Sequence, residues 1–517
     1  MNENNQNELK LRKMAFFPPF IILLFFVILS LLSKENFLAF INQINDWIIK
    51  NVGWLFSCIA VLTVLVGIIA AFSKFGDIRI GGKNAKPEIS TFSWFTIALT
   101  TTMAAGVLFW GPSEPIAHFG APPTELTGIL PQTSEALKFS METMFLHWTF
   151  IPYAIYTVPA VVFAFMYYNA KKPFSISSEI APILGSFSDN INISKIIDAM
   201  TLFCIGAGMA GSLGQGILNM SGGIANIMKM KSEISLWLIV AVIIGVVFVA
   251  TAVSGIKKGI KICADINVYG YVVFLVFLLL FGGTSFVFNL GTEAFGGFLS
   301  KFFEKSLLTG AAGNSQWPQW WTTFYWASWM AWAPTSGAFM GRIAYGRTVK
   351  QTLGLYMGVC SLVSALWMIL VGGNSLFAQT SGKVDLLNIY NNVGVEAVPY
   401  KLLESMPLSK LTIPLFLLLI FLSVVTACNS NMIAMAGIST HGITPESPEA
   451  PNYLKIIWGV VVISLAYIMI SLVGINGVKI IANFGGMFAG IIMLGATLSL
   501  GVLIFNYKKY DKTISED

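Results

Sequence analysis

The chain has 517 residues, 56% of them hydrophobic and only 11% charged, with a formal net charge of +6 and a mean hydropathy of +0.74. A soluble domain carries about a quarter charged residues, so this composition cannot clothe a water-soluble globule of such length. A soluble enzyme, a nucleic-acid-binding protein and a disordered chain are excluded, which leaves an integral membrane protein with many spans.

Apolar stretches of about 20 residues each predict twelve spans in chain order: 14–32, 52–72, 91–118, 137–168, 197–227, 234–254, 265–290, 318–341, 351–373, 411–437, 453–475 and 480–506. Residues 1–13 are polar, and no small-residue cleavage site follows Leu32, so the first span reads as a retained helix rather than a signal peptide. With both ends cytoplasmic, the inner segments hold all the arginines (Arg12, Arg79, Arg342, Arg347) and most of the lysines, as the positive-inside rule requires. With Lys138 and Lys455, at the ends of their spans, counted to the flanking segments, no Lys or Arg is assigned to a span, and Lys479 belongs to an outer loop. The outer segment 291–317 sets Phe295, Leu299, Phe302 and Phe303 against Lys301, Glu304 and Lys305, the pattern of an amphipathic helix on the membrane surface. Residues 374–410 are more polar and read as a cap or gate.

Cys58, Cys204, Cys263, Cys360 and Cys428 fall singly in apolar stretches, without the spacing of a disulfide framework or a zinc site. His118, His147 and His441 read as too few and too scattered for a metal cluster.

Four spans depart from plain apolar helix. The third carries Thr100, Thr101, Thr102, Met103, Ala104, Ala105 and Gly106, then Phe109-Trp110-Gly111-Pro112-Ser113-Glu114-Pro115. Small residues around Met103 fit either an unwound segment whose backbone meets an ion or a carboxylate, or a packing face between helices. Glu114 reads as a buried, paired carboxylate or as an interfacial residue. In the fourth span Trp148, Tyr153 and Tyr156 lie on a wheel at about 140° and about 80° from Trp148. They line one cavity or belong to an interfacial aromatic belt. The eighth span holds six of the 14 tryptophans between Trp317 and Trp332. Trp317, Trp320 and Trp321 fit a belt, whereas Trp326, Trp329 and Trp332 continue deep into the span. Such a face suits a quaternary ammonium through cation–π attraction, and it also suits ordinary packing. The tenth span carries Ser423, Thr426, Asn429, Ser430 and Asn431, which either glue helices or complete an ion site.

Four blocks of this chain resemble the betaine/choline/carnitine transporter family: Met103 to Phe119, His147-Trp148 through Tyr156, Ser254 to Lys261 with Asn267, and Tyr325 to Thr348. Ser212-Leu213-Gly214 with Gly216 also fits. The resemblance spans residues 50 to 505. It implies an all-α membrane protein with a LeuT-like fold of two inverted five-helix repeats, residues 91–290 (spans 3–7) and 318–506 (spans 8–12). Two extra helices in 14–90 precede them, the external helix at 291–317 joins them, and short cytoplasmic tails at 1–13 and 507–517 flank the whole. It further implies a multi-pass protein of the cell membrane, a homotrimer, no enzymatic activity and no cofactor beyond a coupling Na+.

Carried over by position, Trp148, Tyr153, Tyr156 and Trp329 form an aromatic box, with Trp332 further along the pathway. Backbone at Met103 and Ala104 meets the substrate, while Thr102, Met103 and Thr426 stand where an ion is expected. The chain departs from the family at Thr102 to Gly106, where glycines alternate in the family. It departs also at Tyr153 and Ser328, where the family has tryptophan, at Ala427 in place of serine and at Asn429 in place of aspartate. The cage is therefore smaller and more polar, with one hydroxyl fewer at the ion site. The implied function is secondary active import of a small quaternary or methylated ammonium solute of glycine betaine, choline or carnitine type. A sodium-independent exchanger or a carrier of another amino-acid-like solute is the alternative. The short tail after span twelve fits nutrient uptake rather than osmotic sensing. No repeated pore motif and no phosphate-binding Gly-rich loop supports a channel or an ATP-driven pump.

Overall fold

The computed structural model describes residues 9–102, 106–254, 257–441, 443 and 449–513. Met103, Ala104, Gly255, Ile256 and the last four residues lie outside the described residues, so expectations resting on them are not addressed by the fold. Helices carry the architecture: α1 (Lys13–Leu32), α2 (Lys34–Phe72), α3 (Thr91–Thr102), α4 (Gly106–Gly120), α5 (Ser134–Trp148), α6 (Phe150–Ala164), α7 (Ile191–Met228), α8 (Ile234–Val253), α9 (Lys257–Phe281), α10 (Thr284–Ser300), α11 (Phe324–Arg342), α12 (Cys360–Thr380), α13 (Ser409–Ile438), α14 (Asn452–Val473) and α15 (Ile475–Tyr510). Extended pairing among the described residues is confined to two isolated bridges, Leu11 with Thr440 and Arg79 with Thr348.

Among the described residues nine helical runs are long and apolar enough to cross a membrane, or eleven if each of two bent pairs forms one span. The protein is thus an all-helical, multi-pass membrane protein. Each of the twelve expected segments is helical, yet α11 falls outside that count of eleven. Its tryptophans, Ser and Thr make it less apolar, and nearly all of it is buried between α6, α7 and α15 instead of facing lipid.

Several boundaries shift. The third expected span is two helices, α3 and α4, inclined at 59°. The fourth is broken at Thr149 (φ −117°, ψ −116°), so Trp148 ends α5 whereas Tyr153 and Tyr156 belong to α6. One continuous wheel therefore does not relate the three rings. The seventh ends at Phe281, and the chain turns through 106° into α10. Gly282 and Gly283 allow this turn: any side chain on Gly282 would collide with Asn374, and Asn374 Oδ1 accepts the Gly283 N–H at 2.8 Å. The amphipathic helix accordingly starts at Thr284 rather than 291. Lys305 Nζ, 2.9 Å from Glu142 Oε2 and 4.3 Å above the Phe139 ring, ties the short helix Phe302–Ser306 to α5.

The expectation that no lysine sits within a span is corrected. Gly474, at φ +57°, lets α15 begin at Ile475, and Lys479 lies in the early turns of that helix with 6% exposure. Lys455 in α14 is also buried, held by Glu449 and the Ala252 carbonyl.

The central contact is α11 against α6 and α15. Gly486 of α15 abuts Ala327 of α11 with no room for a Cβ, so the two backbones touch. Gly486→Val should therefore lower the thermal unfolding midpoint of the detergent-solubilised protein by several degrees or abolish folding. Gly501→Val in the same helix, where nothing lies within 4 Å of the new Cβ, should leave it unchanged.

Candidate functional site

α4, α5 and α11 converge on one buried carboxylate. Glu114, on α4, is 0% exposed. Its Oε1 lies 3.1 Å from His118 Nε2 and 2.6 Å from His147 Nδ1. Its Oε2 accepts the Trp148 indole N–H at 2.7 Å and the Tyr325 hydroxyl. Glu114 and His118 stand four apart on one helix, so their side chains share a face. His147 and Trp148 close α5, which brings both to the same carboxylate. His147 Nε2 in turn lies 3.1 Å from Thr322 Oγ1. Of the two readings offered by the sequence, Glu114 is the buried, paired carboxylate.

The rings fixed by this hub border a cavity. Trp148 and Trp329 meet edge to face at 5.2 Å, and Tyr156 meets Trp329 at 6.0 Å. Tyr325 packs at 5.3 Å from Trp148 and is stacked 6.5 Å from Trp329. Trp329 donates its indole N–H to the His147 carbonyl at 3.1 Å, and Ser364 of α12 donates to the Trp148 carbonyl at 2.7 Å. Thr102, Val107, Trp148, Pro152, Tyr153, Tyr156, Trp329 and Ser364 line the cavity. Its free volume is about 10 Å³, room for roughly one water molecule. A methylated ammonium group enters only if the rings part.

Trp148, Tyr153, Tyr156 and Trp329 are thus brought together around one space, along with Thr102. Ser328 is half-buried and does not line it. Trp332 is buried against α7, where a Cβ on Gly208 would lie 3.1 Å from its indole nitrogen, and it too lies off the cavity. Thr426 donates to the Leu422 carbonyl of its own helix at 2.7 Å and is not brought to the cavity. Met103 and Ala104 lie outside the described residues.

The expectation of scattered histidines is corrected for two of the three. Glu114, His118 and His147 offer three ligand atoms within 4.8 Å of one another. Their direct separations are those of N–H···O bonds, and protein donors already occupy both carboxylate oxygens, so the set works as a hydrogen-bond hub rather than requiring a metal. Sequence reasoning missed His118, His147, Tyr325, Ser364 and Lys479 as parts of this region. The i,i+4 spacing of Glu114 and His118 was the available signal.

Fold and site define a helical membrane protein with a small ring-lined internal cavity. The model of the betaine/carnitine/choline family of transporters matches residues 14–508, and the chain belongs to that family. It is 31% identical over 462 residues to a probable glycine betaine transporter of Desulfitobacterium hafniense (strain Y51), covering 89% of this chain and 90% of the relative. It is 26% identical to an ectoine/hydroxyectoine transporter of Virgibacillus pantothenticus, covering 92% of each. A glycine betaine transporter of Bacillus subtilis (strain 168) is 27% identical, over 92% of this chain and 91% of the relative.

Glu114→Leu would leave two indole or phenol donors and two imidazoles unpaired in the interior. The expected loss is on the order of 3–5 kcal/mol, against about 1.5–3 kcal/mol for Tyr325→Phe, which removes one bond to a charged group. Thermal or denaturant unfolding in detergent checks the ranking.

Proposed function

We propose that this protein is a secondary active transporter for a small zwitterion bearing a quaternary or methylated ammonium group, of glycine betaine type, working by alternating access and coupled to a cation. The observation that carries this reading is the meeting of Trp148 and Trp329, from separate helices, with Tyr156 over one buried cavity. Each ring face offers about 0.5–2 kcal/mol of cation–π attraction to a methylated ammonium. No step of bond-making on the solute is proposed.

Thr102, the last described residue of α3, stands at the cavity wall, and α3 is inclined at 59° to α4. We assign the solute's anionic end and the coupling Na+ to the junction of α3 and α4, using Thr102 and the backbone at Met103 and Ala104. The scaffold is read as two inverted repeats, 91–290 and 318–506, behind two leading helices, with cytoplasmic termini and a homotrimer engaging α10. A second reading, a bulkier methylated or cyclic solute such as ectoine, draws on the Tyr153 and Ser364 hydroxyls at the cavity and on the Virgibacillus relative.

Labelled glycine betaine uptake into proteoliposomes tests the proposal. Trp329→Leu should cut uptake at least tenfold and Trp320→Leu less than twofold; equal kinetics in the two would remove the cage from the account. In the same vesicles uptake should rise severalfold with an inward sodium gradient. Uptake driven only by internal betaine would favour exchange instead.

A further inference from the structure

We propose that Lys479 is a specificity-determining residue: its ammonium cancels the charge of Glu114 behind the cage and so tunes the cage to a net-neutral zwitterion over a net cation. This rests on the reading of the cavity as a methylated-ammonium site.

The charge balance follows from the contacts. Glu114 is fully buried, and two of its partners, the Trp148 N–H and the Tyr325 O–H, are neutral donors. His147 presents Nδ1 to Glu114 and Nε2 to the Thr322 hydroxyl, contacts that a neutral ring makes with Nδ1–H donating to the carboxylate and Nε2 accepting from the hydroxyl. His118 presents Nε2 to Glu114, while its Nδ1 has no hydrogen-bond partner, as suits a neutral ring whose second nitrogen carries no proton. Neutral imidazoles account for every contact, and the hub keeps a charge of −1.

Lys479 supplies the opposite charge one ring layer away. Its Nζ donates to the Trp320 carbonyl at 3.0 Å and lies 3.9 Å above the Trp321 ring, with Trp110 at 5.5 Å and Phe324 at 5.6 Å. Carbonyl oxygen and ring faces are what an ammonium wants and a neutral amine does not need. Among the described residues no carboxylate pairs with Nζ. Trp321 bridges lysine and hub, with its ring 4.5 Å from that of His118. The neutral sum thus spans two aromatic layers, and the cage hangs from its negative half.

The size of the effect follows from the spacing. Trp321 and Trp329 are eight residues apart, about 12 Å along a helix. A unit charge at that distance, at an effective dielectric of about 20, changes the binding of a net cation about tenfold (~1.4 kcal/mol) and that of a net-neutral zwitterion much less.

Choline and glycine betaine share a trimethylammonium head and differ by one negative charge, which makes them the probes. Their dissociation constants are measured on detergent-solubilised protein by tryptophan fluorescence. Wild type should bind betaine at least tenfold more tightly than choline. Lys479→Met and Lys479→Gln should each lower the choline-to-betaine ratio of dissociation constants about tenfold, and Lys479→Arg should keep it. A merely structural role would weaken both ligands together and leave the ratio unmoved, which would overturn the inference. So would wild-type protein that binds choline as tightly as betaine, whether or not any variant folds. Wild type that binds neither ligand overturns the proposed function, and this inference with it; betaine binding with an unmoved ratio overturns this inference alone.

Discussion

The structure around the cavity depends on one buried carboxylate. An ionised carboxylate in a membrane interior is tolerated only when donors surround it. Glu114 gathers its donors from three helices, and meeting that demand fixes where those helices end. α5 must stop with His147 and Trp148 turned inward, and α11 must present Tyr325. Of the rings that face the cavity, Trp148 is held by a bond that satisfies the charge and Trp329 by one to the neighbouring His147 carbonyl. At these two indoles site geometry and fold stability are one set of interactions.

The second constraint is close helix packing. Gly486 against Ala327 sets α15 directly on α11, and Gly341 against the Ala160 carbonyl does the same for α6. Apolar lipid offers little drive for helix association, so backbone proximity replaces hydrophobic burial. The tryptophan-rich helix can therefore be far less apolar than its neighbours and still lie at the centre, because few of its atoms face lipid.

Much of this was legible in the sequence. Runs of apolar residues located the core of each long helix, since spanning a bilayer is a property of one stretch of chain. Trp329 stands out as too deep for a belt, Trp148, Tyr153 and Tyr156 fit either a belt or a cavity, and the family resemblance joins the four, which do line one space. What the sequence hid were properties of two or more stretches at once. His147 lies 33 residues from Glu114, and nothing local couples them. Lys479 reads as an outer-loop residue just ahead of the span expected at 480–506, yet the left-handed Gly474 starts the helix at Ile475 and carries the lysine inward. The turn after Phe281 likewise depends on Asn374, in another helix, accepting a glycine N–H.

The interruption at Thr149 bears on how such a tight space can ever be filled. Trp148 rides on α5, anchored to the carboxylate, while Tyr153 and Tyr156 ride on α6, packed along α11. The chain between them already lacks regular helical geometry, so a swivel at this joint would swing phenols away from the indole without unwinding either rod. The small volume of the cavity is then a property of this one arrangement of the two helices. Its walls are mounted on opposite sides of a ready-made elbow.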